Sequence, residues 1–328
     1  MYLPPSFEAV MAAAASTVSP LTKDSRLTLG DGRTMPVIGF GTYQIKEEEC
    51  EAPVHTALRL GYRHVDTAQV YGNEEACGRA LAASGVSREE LYVTTKLWPG
   101  NPDWNQPPKS FEQTVECCEA SVRKLGLERC DLYLIHTPLG GGKEGRLAQY
   151  RGLVECQKRG LCTSIGVSNY GVAHLEEIAA EGLPLPAANQ LELHPMSQKA
   201  ALLAYMAERG ILPIAYSSLA PLSNWRVGQQ SAKSDAQRAD VANSGVGAIA
   251  AKYRVVGRSE AQVLLRYALQ KGWAILPKSV SEVRAAANLD VFSFALSDAD
   301  MAALDAMERG ATFAFGAPGQ PLDPTQCA

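Results

Sequence analysis

Short β-rich runs alternate with longer helical runs eight times along this chain. Val37–Gly41, Arg63–Asp66, Leu91–Thr95, Asp131–Ile135, Cys162–Val167, Ala187–Leu191, Leu212–Tyr216 and Ala274–Pro277 read as strands. Helical patterns follow them at Glu47–Leu60, Asn73–Ala83, Glu144–Arg159, His174–Ala180, Lys199–Arg209 and Glu260–Gln270, with Ser281–Asn288 and Ser297–Met307 after the last strand. Phe111, Val115, Cys118, Val122 and Leu125 step by four, three, four and three residues, which marks one apolar face of a further helix. Such alternation implies parallel strands joined by right-handed crossovers. Eight such units in 328 residues fit a closed (β/α)8 TIM barrel better than an open sheet.

Before the first unit, two short alternating runs flank Gly30-Asp31-Gly32, a hairpin signal placed to cap the base of the barrel. Asn73 is placed to cap the helix that follows it, with Gly85 just past that helix. No composition shift divides residues 23–328, so they read as a single domain. Residues 1–22 are Ala- and Pro-rich with no Lys or Arg before Lys23 and read as a flexible extension rather than a targeting segment. The polar stretch 217–244 reads as a long loop over the C-terminal face, and 311–328 as a Gly/Pro-rich loop.

A net charge of −4 with no basic cluster argues against a nucleic-acid surface or an anionic-membrane surface. No apolar run reaches the roughly 18 residues of a membrane span. The eight cysteines form no Cys-x-x-Cys pair and join none of the histidines at metal-ligand spacing. Buried free thiols in a reducing, cytoplasmic setting, and no metal, are the expectation.

Catalytic groups of such barrels come from the C-terminal ends of strands. Asp66, Tyr71, Lys96 and His136 stand at or just beyond the ends of the second, third and fourth strands. A phenol, with an ordinary pKa of about 10, is a poor acid at neutral pH. A Lys ammonium beside it favours the phenolate, so Lys96 is expected to lower the Tyr71 pKa, with Asp66 holding Lys96 charged and aimed. His136 can donate to a substrate oxygen. Together they suit protonation of a carbonyl oxygen on its way to an alcohol. Each residue alone has a plainer role in packing, a turn or the surface; four at adjacent strand ends are unlikely to coincide by chance.

Seven motifs carry a family resemblance: Gly39-Phe-Gly-Thr-Tyr43, His64-Val-Asp-Thr-Ala-Gln-Val-Tyr-Gly-Asn-Glu74, Thr95-Lys-Leu-Trp98, Asp131-Leu-Tyr-Leu-Ile-His136, Ser164-Ile-Gly-Val-Ser-Asn-Tyr170, Asn189-Gln-Leu-Glu-Leu-His-Pro195 and Ile275-Leu-Pro-Lys-Ser279. In this order they resemble the aldo-keto reductases, from about Leu27 to Phe292. The resemblance implies NADPH-dependent reduction of an aldehyde or ketone by a monomer. Tyr71 would be the general acid, Lys96 and Asp66 its tuning pair, and His136 the orienting group. Ser168, Asn169 and Gln190 would hold the nicotinamide amide, and Tyr216 would stack on its ring. Gly41, Thr42 and Asp66 would border the cofactor, and Ser217 and Leu219 would meet the pyrophosphate. Lys278, Ser279 and Arg284 would bind the 2′-phosphate of NADPH, with Val280 and Asn288 as further cofactor-binding residues. Cations at a strand–helix junction independently suit a phosphate there, which favours NADPH over NADH.

Tyr43 and Thr137 stand where the family often has Trp in the substrate pocket, so a more open, less aromatic pocket is expected; Ala287 stands where the family often has a Glu that contacts the adenine. Tyr43, Val70, Trp98, Trp104, His136 and Trp225 are its candidate lining. Two decoys are set aside. Gly245-Val-Gly-Ala-Ile-Ala250 lacks the strand a dinucleotide turn needs before it. Gly140-Gly-Gly-Lys143 lacks phosphate-loop spacing and reads as a short loop. Two other functions compete: a non-catalytic, cofactor-sensing subunit, and an aldolase using Lys96 as a Schiff-base nucleophile.

Overall fold

The computed structural model describes residues 21–222, 245–310, 314, 316–317 and 320–327. Strands β1 (Arg26–Thr28) and β2 (Thr34–Pro36) form the antiparallel hairpin. Eight strands then pair in parallel in chain order: β3 (Phe40–Gly41), β4 (His64–Asp66), β5 (Tyr92–Leu97), β6 (Cys130–Ile135), β7 (Cys162–Ser168), β8 (Ala188–Glu192), β9 (Leu212–Tyr216) and β10 (Ala274–Ile275). The barrel closes where Ile38 bridges Ile275 in parallel. Ile275 N–H donates to Val37 O at 3.0 Å, and Gly39 N–H to Ile275 O at 2.8 Å. The fold is the (β/α)8 barrel expected.

Helices α1 (Glu47–Leu60), α2 (Glu74–Ala83), α3 (Phe111–Lys124), α4 (Gly142–Lys158), α5 (Val172–Ala180), α6 (Ala200–Glu208), α7 (Gly245–Tyr253), α8 (Glu260–Gln270), α9 (Glu282–Leu289) and α10 (Asp298–Asp305) surround it. Side chains alternate across each strand. Tyr133 and Ile135 therefore join the outer core against the helices, while Leu132 and Leu134 join the inner one. Leu29 and Met35 of the hairpin are buried in that inner cluster, so the hairpin plugs the base. Gly166 has to be glycine: a Cβ there would lie 2.6 Å from Ala188 O and 2.8 Å from Leu134 Cδ2.

Several local expectations change. Lys96 lies within β5, which runs to Leu97, rather than after it. Asn73 occupies the cap position of α2 but makes no cap hydrogen bond; its amide donates instead to Thr42 O and Ile45 O, tying two βα loops together. The sequence Gly142-Lys143 opens α4 instead of sitting in a loop. The C-terminal stretch is not all loop: β11 (Gly316–Ala317) pairs with β12 (Gln320–Pro321). Gly245-Val-Gly247 begins α7, and the residues just before it lie outside those described. All eight cysteines are free thiols. No helix among the described residues is long and apolar enough to cross a membrane.

Candidate active site

The parity that buries Tyr92 in the inner layer also points Thr94 and Lys96 inward, each one layer higher. The same count along neighbouring strands brings Asp66, His136, Ser168, Gln190 and Tyr216 to the top of the barrel. Six of the expected site residues thus share one inward-facing end. A cavity of about 540 Å³ opens there.

Lys96 is fully buried, and its Nζ donates to Asp66 Oδ1 at 2.6 Å, to Thr67 O at 2.8 Å and to Tyr71 Oη at 3.5 Å. Three acceptors thus surround the Lys96 amine. Gln190 Nε2 donates to the second Asp66 oxygen at 2.9 Å. Tyr71 Oη also lies 3.5 Å from His136 Nε2. The structure therefore brings the four catalytic candidates together.

Electrostatics overturn one expectation. The Tyr71 phenol is held well above its ordinary pKa, first by burial, then by the charge of Asp66 and by Tyr43. Lys96 Nζ lies 2.6 Å from Asp66 Oδ1 but 3.5 Å from Tyr71 Oη, and burial of the phenol outweighs its pull at that distance. Burial pulls the Lys96 pKa down, and Asp66 and Glu74 oppose that. His136 is pushed well below the usual histidine range by burial and then by Lys96, so it is neutral. The site at neutral pH is an ion pair beside a protonated phenol and a neutral imidazole.

Ser168, Asn169, Gln190 and Tyr216 form one network. Ser168 Oγ donates to Gln190 O at 2.8 Å, Asn169 Nδ2 donates to Ser168 Oγ and to His136 O at 3.0 Å each, and Tyr216 Oη donates to Asn169 Oδ1 at 2.7 Å. Asn169 (φ 64°), Ser217 (φ 53°) and Gln44 (φ 59°) are three of the five non-glycine residues in the left-handed region among those described, and all three line the cavity. Such strain gathers where a ligand is clamped.

Gly41, Leu219 and Lys278 also line the cavity. Thr42 is buried behind it, its hydroxyl donating to Asp66 O at 3.1 Å. Ser279 is buried with Oγ bonded to Ser281 O, Asn288 is buried in α9, and Val280 and Arg284 are exposed. Burial and then Arg284 lower the Lys278 pKa, and neither cation forms an ion pair among the described residues. Ser218, which the sequence did not single out, lines the cavity with a buried Oγ that has no hydrogen-bond partner. An orphaned hydroxyl, open cations and acceptor capacity left on Gln190 Oε1 suit a phosphorylated dinucleotide.

Tyr43, Val70, Trp98 and Trp104 line the cavity as well. Thr137 is buried and contributes nothing to that wall. Trp225 lies outside the described residues. Thr67 and Gln69 were not foreseen: Thr67 acts through its carbonyl, and Gln69 Oε1 accepts from Trp98 N at 3.0 Å. A backbone acceptor leaves no sequence signal, and a lone Gln beside a motif leaves a weak one. Ala314 of the C-terminal stretch also reaches the cavity, its N–H donating to Glu192 Oε2 at 3.0 Å.

Such a barrel with such a site defines a class, and comparison with known proteins identifies it. The Aldo/keto reductase family model matches residues 37–309. An aldo-keto reductase of Mycolicibacterium vanbaalenii is 42% identical over 285 residues, 87% of this chain and 92% of that protein. The solved structure of a Bombyx mori aldo-keto reductase in complex with NADP superposes with a TM-score of 0.77 at 33% identity, covering 89% of this chain and 95% of that one. A structure of a mutant of Gox0644 in complex with NADPH gives a TM-score of 0.75 at 34% identity, covering 93% of this chain and 99% of that one. This chain belongs to the aldo/keto reductase family.

Proposed function

We propose that the protein reduces aldehydes or ketones to alcohols with NADPH. The observation that carries this reading is that Lys96 Nζ and His136 Nε2 each lie 3.5 Å from Tyr71 Oη, which faces the cavity. The two NADP- or NADPH-bound relatives support the cofactor. Ser168, Asn169 and Gln190 would hold its carboxamide, Tyr216 would support its ring, and Ser217, Ser218 and Leu219 would meet its pyrophosphate. Lys278 and Arg284, with Ser279, Val280 and Asn288 beside them, would hold a 2′-phosphate and give preference over NADH. Bound there, NADPH supplies a hydride to the carbonyl carbon and is oxidised to NADP+.

The chain's own residues handle the proton. A phenol with a raised pKa stays protonated until a substrate oxygen gains negative charge. An alkoxide is a far stronger base than a phenolate, so the Tyr71 proton then transfers to it. Lys96 stabilises the phenolate left behind, and Asp66 keeps Lys96 aimed. Neutral His136 can present Nε2–H to the same oxygen and fix its position. Tyr43, Val70 and Trp98 would border the substrate. The protein acts as a monomer in the cytoplasm on this reading, residues 23–328 being one catalytic domain.

Tryptophan fluorescence during titration with NADPH and then NADH, followed by addition of an aldehyde, tests the proposal. Tighter NADPH binding followed by cofactor oxidation is expected. Tight binding without oxidation across a panel of carbonyls would favour a sensing subunit, and no binding of either nucleotide would overturn the reading.

A further inference from the structure

The loop after β5 is folded on itself rather than into the core. Asn101 bridges Gln106, and the Asn101 side chain accepts from Asp103 N at 3.0 Å, capping the short helical turn Pro102–Trp104. Asn105 then reverses the chain in the left-handed region at φ 56°. Trp98 Nε1 donates to Gln106 Oε1 at 2.7 Å. The loop thereby lays Trp104 almost parallel on Trp98, with ring centroids 5.8 Å apart and an interplanar angle of 16°. Trp98 in turn meets His136 edge-on at 5.9 Å. A continuous aromatic wall runs from His136 to the lip of the cavity.

The other side is also apolar. The Tyr43 ring stands 5.0 Å from that of Tyr71. Tyr43, Val70 and Trp104 are three of the seven large apolar residues left exposed among those described, and all three line this cavity. An indole that is 56% exposed adds little to a core, yet four hydrogen-bonded loop residues hold it in place. Asp66 and Lys278 are the only charged side chains among the described lining, one at the floor and one on the cofactor side.

We propose that Trp104 is a specificity-determining residue, and that the Trp98–Trp104 pair selects planar, uncharged aromatic aldehydes over small aliphatic ones. The inference rests on the carbonyl-reductase reading. With a carbonyl oxygen at Tyr71 Oη and His136 Nε2, the rest of the molecule extends between two aromatic walls. A fused ring gains face and edge contacts there, and a three-carbon aldehyde does not reach Trp104.

The test compares kcat/KM for 2-naphthaldehyde and propanal, with NADPH, in the parent, Trp104→Ala and Trp104→Phe. The naphthaldehyde-to-propanal ratio is expected to fall roughly tenfold in Trp104→Ala, mainly through KM, and to stay within about threefold in Trp104→Phe. Gln106→Leu, which releases the Trp98 indole, is expected to lower the ratio in the same direction. An unchanged ratio in Trp104→Ala overturns the proposal. Binding of 2-naphthalenemethanol to parent and Trp104→Ala provides a second readout. If the parent turns over neither aldehyde, the reductase reading fails by itself. A weaker naphthyl affinity in the variant would then still sustain the aromatic platform, and an equal one would remove it.

Discussion

Lys96 and Asp66 form a buried ion pair whose two halves are predicted to fail in opposite directions with pH. Their side chains are 0% and 5% exposed, at 2.6 Å. In Lys96→Met the carboxylate keeps only its bond from Gln190. An unpaired buried charge costs about 3–5 kcal/mol. Proton uptake sets a ceiling: keeping an ordinary carboxyl protonated in the folded state at pH 7 costs about 4 kcal/mol, falling to about 1.5 kcal/mol at pH 5. The folded variant then binds the extra proton, so its deficit grows as pH rises. Asp66→Asn instead strands the ammonium, which escapes by losing a proton. The unfolded chain binds that proton, so this deficit grows as pH falls. The double variant has neither charge, keeps its shape, and should lose about 1 kcal/mol. Urea unfolding followed by tryptophan fluorescence at pH 5 and pH 7 reads all four proteins. Deficits in the single variants that do not change with pH, or a double variant that loses their sum, would refute the reasoning.

Three further outcomes follow from the same structure. Burial, with Lys96 and Arg26 adding to it, pushes the His64 pKa down to about 3, so between about pH 6.5 and 3 only the unfolded chain binds its proton. Stability should therefore fall on acidification by about 1.4 kcal/mol per pH unit from this residue, and His64→Gln should flatten the measured slope by about one proton. Gly166→Ala places a methyl against the Ala188 carbonyl and should cost about 1–3 kcal/mol in urea unfolding; no loss would show that the barrel interior yields there. Lys278→Met with Arg284→Leu should weaken NADPH binding by about tenfold or more with little effect on NADH, as measured by fluorescence titration; equal losses would place the phosphate elsewhere.

The sequence shows the fold because both of its periods are clean: apolar steps of three and four for helices, short β-branched runs for strands. It also shows which residues reach the top of the barrel, since a strand fixes parity and the motifs sit at strand ends. It does not show how charges are shared there. That Lys96 serves Asp66 before Tyr71, and that the phenol pKa rises, depends on distances of 2.6 and 3.5 Å that no spacing encodes. The Trp98–Gln106 tie and the Thr67 carbonyl are equally hidden, because one depends on a loop's path and the other on the backbone. Paired strands at 316–317 and 320–321 are two residues each, too short for any alternation to register.

The most direct test of the account is the rate of NADPH oxidation on adding 2-naphthaldehyde, in the parent and in Tyr71→Phe, with NADPH affinity measured on both. Steady oxidation by the parent, a loss of about 100-fold or more in the variant, and matching affinities are expected. Full activity in Tyr71→Phe would contradict it, since the proton would then come from a group other than the phenol held between Lys96 and His136.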